Sequence, residues 1–343
     1  MPMQSLLLAK NPGIEIFGTT IYAYALIIVA GMVLAFFVIT ALFRRRNMSK
    51  DLFLTFFCIC LPICLVTTRL FYCITDGLPI EEWFDFQSIR KGGLSIIGGI
   101  LGGVLSISAV CYFKKINFFR VADCVVIGLL FAQAIGRWGN FANQEVYGAV
   151  VENEALQCFP FAVYINKTAD GHCLQTFTLT FQKWFGMEQT ITGGVWHYAF
   201  FFYESLANTI VGVLLFVFAW KNPKKPNGLC SGVYLTSYGV VRSIMEPLRD
   251  PTYILGDGVQ WSFVFSIVLI ILGVSFIFAA LYINKRKEGV LMGSLKGDPY
   301  GITEYLKDSK DEVAYFDKLN IMCSIYPENY VQKQEKTDKG AEK

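Results

Sequence analysis

Seven apolar stretches constrain this chain more than any other feature: Thr20–Leu42, Leu52–Thr75, Leu94–Phe113, Val121–Phe141, Tyr198–Trp220, Leu229–Met245 and Trp261–Ile283. Each holds roughly twenty residues, the length at which an α-helix crosses a hydrocarbon layer about 30 Å thick. A backbone in that layer finds no water to bond, so it must close its hydrogen bonds internally. The expected fold class is an all-α integral membrane protein of about seven transmembrane helices. Composition agrees, since 54% of the residues are hydrophobic and 17% charged, where soluble chains carry roughly a quarter. Arg44, Arg45 and Arg46 directly follow the first stretch, and no small-residue cleavage site accompanies it, so it reads as a first span and not a removed leader.

The basic residues alternate from loop to loop. Arg44, Arg45, Arg46 and Lys50 follow the first stretch, and Lys114, Lys115 and Arg120 the third. Lys221, Lys224 and Lys225 follow the fifth, and Lys285, Arg286 and Lys287 the seventh. By the positive-inside rule those loops are cytoplasmic, the amino terminus lies outside and the carboxy terminus inside. The loops then left outside carry Asp76, Glu81, Glu82 and Asp85, and a long segment of about residues 143–197. That segment is too long for a plain connection and is expected to form a small folded head. Its aromatic residues Phe159, Phe161, Phe177, Phe181, Trp184 and Phe185 either pack the head or rest on the lipid surface. The expected organisation is a membrane domain over residues 1–287 and a polar cytoplasmic tail over 288–343, disordered near its end.

A formal net charge of +3 gives no reason to expect a nucleic-acid partner. The ten cysteines suggest neither a metal site nor a cofactor, because Cys58, Cys60, Cys64, Cys73, Cys111 and Cys124 fall at or within apolar stretches, where cysteine behaves as a small apolar residue. Cys158 and Cys173 share the outer segment, where a disulfide is permitted but not established by spacing. In the third stretch Gly98, Gly99, Gly102 and Gly103 give spacings that let helices approach closely.

Charge inside the apolar stretches carries the functional signal. Arg69 lies in the second, Asp123 and Arg137 in the fourth, and Arg242 and Glu246 in or beside the sixth. An ionised group near the bilayer centre costs about 2.5–3.5 kcal/mol on insertion scales, so each needs a partner or a polar cavity. Arg137, Asn140 and Gln144 share a face if the helix continues, with Glu145 beside them; Arg242, Glu246 and Arg249 repeat the spacing. Pro247 disfavours helical geometry at Glu246 and is expected to end that helix. Two arginines from separate helices suit a bidentate grip on a phosphate, and a phospholipid head group is the anion at hand. Interhelical salt bridges, or a transporter for a lipid or organic anion, would use similar residues.

The run Gly136-Arg137-Trp138-Gly139-Asn140-Phe141-Ala142-Asn143-Gln144-Glu145-Val146-Tyr147-Gly148 resembles the signature G-R-x-G-N-F-x-N-x-E-x-x-G of the prolipoprotein diacylglyceryl transferases at every fixed position. Tyr24, Arg69, Gly92-Gly93-Leu94-Ser95 with Gly98-Gly99, Phe119-Arg120-Val121-Ala122-Asp123, Tyr203-Glu204-Ser205 and Tyr238-Gly239 with Arg242, Glu246 and Arg249 resemble further family blocks in order, over about residues 17–284. The resemblance implies a multi-pass enzyme of the bacterial cytoplasmic membrane without metal or cofactor. Its partners would be phosphatidylglycerol and prolipoprotein signal peptides bearing a lipobox cysteine. The diacylglyceryl group would pass to that thiol as a thioether, with glycerol 1-phosphate leaving. Arg137, Arg242 and Glu145 are then the catalytic candidates. Tyr24, Arg69, Asn140, Asn143, Gly148, Glu246 and Arg249 are the substrate-binding candidates. One departure stands out: Ile97 occupies a place where many family members carry histidine, and the only histidines, His172 and His197, fall in the outer segment. A scaffold without activity is the reading that this departure keeps open.

Overall fold

The computed structural model describes residues 13–16, 19–46, 48, 50–79, 83, 95–114, 116–166, 172–187, 193–223, 225–248 and 261–294. Among them the elements are β1 (Gly13–Ile16), β2 (Thr19–Tyr22), α1 (Ala23–Arg45), α2 (Lys50–Thr75), α3 (Ile96–Lys114), α4 (Phe118–Ala142), β3 (Ala162–Ile165), α5 (His172–Trp184), β4 (Val195–Tyr198), α6 (Phe200–Lys221), α7 (Leu229–Met245) and α8 (Trp261–Ser294). Six helices, α1–α4, α6 and α8, are long and apolar enough to cross a membrane. The chain is thus a helical integral membrane protein. The stretch expected as a sixth span forms α7, at 17 residues shorter than the rest and continued by a 3-10 turn over Glu246–Leu248, with Pro247 inside that turn.

Among the boundaries that differ from those read from hydropathy, three change an element. Residues 19–22 form β2, paired antiparallel with β1, so α1 starts at Ala23. Tyr198 closes strand β4, and α6 starts at Phe200. Helix α8 passes Lys287 and runs to Ser294, through a segment that still holds Val290, Leu291 and Met292.

The contacts divide the chain into two compact units, Met1–Ile39 with Val125–Lys343, and Thr40–Cys124. In the second, α2 and α3 pack at short range through the small residues of α3. A Cβ on Gly98 would stand 2.6 Å from Phe71 Cβ, and one on Gly99 2.9 Å from Thr68 Oγ1. The Thr67 and Thr68 hydroxyls donate back to the Cys64 carbonyl, so they stay satisfied within a lipid-facing helix. Asp123 finds its partner in this unit: Arg46 Nη2 lies 3.7 Å from its carboxylate, both side chains being buried. Arg46 and Arg120 also exchange guanidinium-to-carbonyl bonds of 2.9 and 2.8 Å. Asp123 therefore belongs to a structural ion pair.

In the first unit, α4 is the central helix. Gly31 of α1 faces Ala132, where a Cβ would stand 3.0 Å from the carbonyl oxygen, and Gly212 of α6 faces Leu130 and Phe131. Gln133 donates to the Tyr234 hydroxyl of α7 at 2.9 Å. Helices α7 and α8 touch through glycine, with a Cβ on Gly232 2.8 Å from Gly273 O and one on Gly239 2.7 Å from Ser266 O. Such close backbone contact is what membrane helices use where no hydrophobic force separates protein from lipid.

Between α4 and α6 the chain forms a small folded body. Strands β3 and β4 pair antiparallel with Val163 opposite His197 and Tyr164 opposite Trp196. One side of this ribbon packs with Val151, Leu179 and Trp196; the other joins Phe141, Tyr147, Ala199 and Phe201, which continue the membrane helices. Among the described residues Cys158 is a free, buried thiol; the Cys173 side chain lies outside them.

Candidate active site

Arg137, in the last turns of α4, and Arg242, in the last turn of α7, meet on one carboxylate. Arg137 Nη2 pairs with Glu204 Oε2, and Arg242 Nη1 donates to Glu204 Oε1 at 3.1 Å. Glu204 sits in the first turns of α6 and is 2% exposed, whereas the two arginine side chains keep 21% and 19% of their surface. Two cations thus share one anion, and each guanidinium keeps a face that is still reachable. Arg137 and Arg242 were expected from the sequence to grip a common group; the buried carboxylate that brings them together was not assigned a role. The signal was available, for Glu204 is the only charged residue between Tyr198 and Trp220.

A second cluster begins where α4 stops. The helix ends at Ala142, and Gln144 and Val146 take left-handed φ values of 51° and 57°. Gln144 is therefore not on the helical face that its spacing from Arg137 suggested. Instead the turn folds Glu145 back: its N–H donates to Asn140 O at 3.0 Å, and its Oε1 accepts from Asn140 Nδ2 at 3.0 Å and Asn143 Nδ2 at 3.5 Å. Both amides serve the same oxygen, and Oε2 has no hydrogen-bond partner among the described residues. The Tyr24 ring lies on Gly139, where a Cβ would stand 2.8 Å from the ring, and its hydroxyl is close enough to feel the charges of both Glu145 and Arg137. Glu246, buried in the 3-10 turn, lies within electrostatic range of Arg242.

Backbone bonds tie the helix ends that carry these groups. Gly148 N donates to Tyr198 O at 3.1 Å, Tyr198 N to Ala149 O at 3.1 Å, and Ala149 N to Leu248 O at 2.8 Å. A Cβ on Gly148 would stand 2.6 Å from Phe200 Cε1 and 2.7 Å from Tyr198 Cβ, so glycine there serves protein packing. His197 Nδ1 donates to Gly148 O at 2.9 Å, and its ring lies 4.4 Å from that of Tyr147. Trp138 Nε1 donates to Ser205 Oγ at 3.1 Å and Ser205 to Ala134 O at 2.8 Å, fixing α6 against α4 one residue from Glu204.

The first unit thus brings together Tyr24, Arg137, Asn140, Asn143, Glu145, Gly148, Arg242 and Glu246. Arg69 belongs to the second unit, buried, with its Nε donating to Trp83 O at 2.8 Å and its guanidinium 5.7 Å from the Tyr72 ring centre. Ile97, also there, is exposed on α3. Arg249 lies outside the described residues. Among the described residues no group of three or more His, Cys, Asp or Glu is placed to hold a metal ion.

A family model described as prolipoprotein diacylglyceryl transferase matches residues 13–279. Curated relatives agree. The chain is 32% identical over 279 residues to a phosphatidylglycerol–prolipoprotein diacylglyceryl transferase of Streptococcus uberis, covering 81% of this chain and 96% of the relative. It is 28% identical over 270 residues to such a protein of Clostridium perfringens, covering 77% and 92%, and 30% identical over 266 residues to one of Oceanobacillus iheyensis, covering 77% and 85%.

Proposed function

Because the chain belongs to the prolipoprotein diacylglyceryl transferase family, we propose that it transfers the diacylglyceryl group of phosphatidylglycerol to the lipobox cysteine of prolipoproteins. The observation that carries the site assignment is the sharing of Glu204 by Arg137 and Arg242. In the step proposed, the cysteine sulfur attacks the glycerol carbon of the diacylglyceryl unit, a C–S bond forms and the C–O bond to phosphate breaks. The electron pair leaves with glycerol 1-phosphate. Charge grows on the departing oxygen, where two preorganised guanidiniums stabilise it best. Glu145 Oε2, unengaged while the two asparagines hold Oε1, is the acceptor assigned to the thiol proton. Tyr24, Asn140, Asn143 and Glu246 orient the head group and the arginines. Gly148 allows the close backbone approach where α4 gives way to the outer segment, and Arg69 and Arg249 are assigned to lipid binding each on its own part of the chain.

The same reading has seven spans in the bacterial cytoplasmic membrane, with the amino terminus outside, the carboxy terminus and polar tail 288–343 inside, and the body between α4 and α6 as an outer head on a membrane domain of residues 1–287. Helix α7 fits as the seventh span, since 17 residues of α-helix rise about 26 Å and the following 3-10 turn adds about 6 Å. Anion transport would use similar arginines, but it gives no reason for the family signature around Glu145.

The test is to incubate membranes containing the full chain with phosphatidylglycerol labelled in its acyl chains and a lipobox peptide, and to weigh the peptide. A cysteine heavier by one diacylglyceryl group is the expected result. An unmodified cysteine together with movement of labelled lipid between leaflets would replace transfer with transport.

A further inference from the structure

Helix α5 is amphipathic with its faces reversed. Its inward face is polar: Thr176 and Thr180 are buried, Thr180 Oγ1 accepts from Phe159 N at 2.9 Å, and Thr176 Oγ1 accepts from Tyr164 N at 3.1 Å. Leu179 is the apolar member of that face. The outward face is aromatic, with Phe177, Phe181, Trp184 and, just past the helix, Phe185 at 36%, 52%, 65% and 63% exposure. A helix on a water-facing surface shows the opposite arrangement, its apolar stripe turned to the core and its polar side out. A run of four large exposed rings on one face is a patch that a soluble surface rarely carries without an occupant.

We propose that this face of α5 lies in the head-group layer of the bilayer, at the membrane surface where α4 ends and α6 begins. Continuity with the membrane helices selects lipid as the occupant. The Phe177 ring is 5.7 Å from that of Phe141, in the last turn of α4, and 5.1 Å from Phe159, whose ring is 4.9 Å from Phe202 in the first turn of α6. Trp138, exposed on α4, lies 6.5 Å from Phe202. The rings therefore continue from exposed Trp138 on α4 and half-buried Phe202 on α6, past the buried Phe141 and the half-buried Phe159, onto α5 without a polar break. Aromatic residues are enriched at this depth because the ring is apolar while an indole N–H meets the head groups. Helix α5 then acts as a float that fixes the folded body at the membrane surface, beside the helix ends bearing Arg137, Glu204 and Arg242. The inference depends neither on the reaction assigned nor on which side of the membrane that surface faces.

The experiment uses the full chain in phosphatidylglycerol-containing nanodiscs, in which acyl chains brominated near the head group quench buried indole and aqueous iodide quenches exposed indole. Trp184 is one of six tryptophans, so its emission is isolated as the difference between wild type and Trp184→Phe. Brominated lipid should lower that component about twofold or more, and iodide should leave it nearly unchanged, as for an interfacial indole. A second reporter, Phe181→Trp in the Trp184→Phe background, should behave alike. Quenching by iodide and not by bromine would place the face in water. Quenching by neither would place it under protein, a second copy or a bound peptide. Either result overturns the proposal.

Discussion

Replacing Glu204 by glutamine tests the site at its least exposed point. The carboxylate is 2% exposed and takes one guanidinium on each oxygen. Glutamine can accept from one arginine through its carbonyl, but its NH2 then faces the other, donor against donor. Breaking one side of a buried ion pair costs about 3–5 kcal/mol. Both arginines keep about a fifth of their surface, so the stability loss should fall near the lower figure. The released arginine no longer aims at the departing oxygen. Loss of one such donor costs about a hundredfold to a thousandfold in turnover. The assay is twofold: thermal unfolding of purified Glu204→Gln, and its rate of cysteine modification per folded molecule. Glu204→Asp keeps the charge one methylene short and should fall between glutamine and wild type in rate. If folded Glu204→Gln modifies cysteine at the wild-type rate, Glu204 does not present the arginines to substrate, whatever it does for stability.

Arg137→Lys and Arg242→Lys keep the charge and lose the planar fork, so each should insert and fold yet turn over about a hundredfold slower or worse. Lower thermal stability with a normal rate per folded molecule would instead make them structural. Gly148→Ala would push a methyl to 2.6 Å from Phe200 and 2.7 Å from Tyr198, and should lower stability by about 1–3 kcal/mol; an unchanged unfolding temperature would refute that packing. A reporter fused after Ser294 should be active only in the cytoplasm and one inserted at Asp170 only outside, and reversed signals would overturn the proposed orientation.

The membrane helices were legible because a hydropathic run needs no tertiary information; near Pro247 the α-helix does end, at Met245, but Glu246 keeps right-handed helical angles and the chain goes on as a 3-10 turn. What hydropathy could not see is that Thr20–Tyr22 and Tyr198, counted into the first and fifth apolar stretches, belong to strands β2 and β4 that lead into the helices. Gln144 was misplaced for a related reason: periodicity assumes that the helix continues, and nothing in Asn143-Gln144-Glu145-Val146 announces two left-handed residues. The arginines were found by their cost in lipid. Their shared partner was overlooked because Glu204 stands in a stretch of its own, and only tertiary packing brings three helices to one carboxylate. In α5 the spacing of Phe177, Phe181 and Phe185 was visible, but not its direction. The inward face is set by hydrogen bonds that the Thr176 and Thr180 hydroxyls accept from the N–H groups of Tyr164 and Phe159, and that is a contest which hydrophobicity alone would decide the other way.

The left-handed residues have a consequence for how the site is held. A non-glycine residue in that region costs about 1–3 kcal/mol, and β-branched Val146 is among the least suited to it. The turn persists because its ends are fixed: Asn143 and Glu145 bond back into α4, and Gly148 and Ala149 bond to Tyr198 and Leu248. Those four residues join the ends of α4, α6 and α7, the helices that carry Arg137, Glu204 and Arg242. Relaxing the turn would therefore require the helix ends to separate and the shared carboxylate to lose a partner. The signature thus does two things with one run of sequence. It supplies Arg137 and Glu145 as chemistry, and through Gly148 it ties the end of α4 to the start of α6, while Ala149, the next residue, bonds to Leu248 after α7.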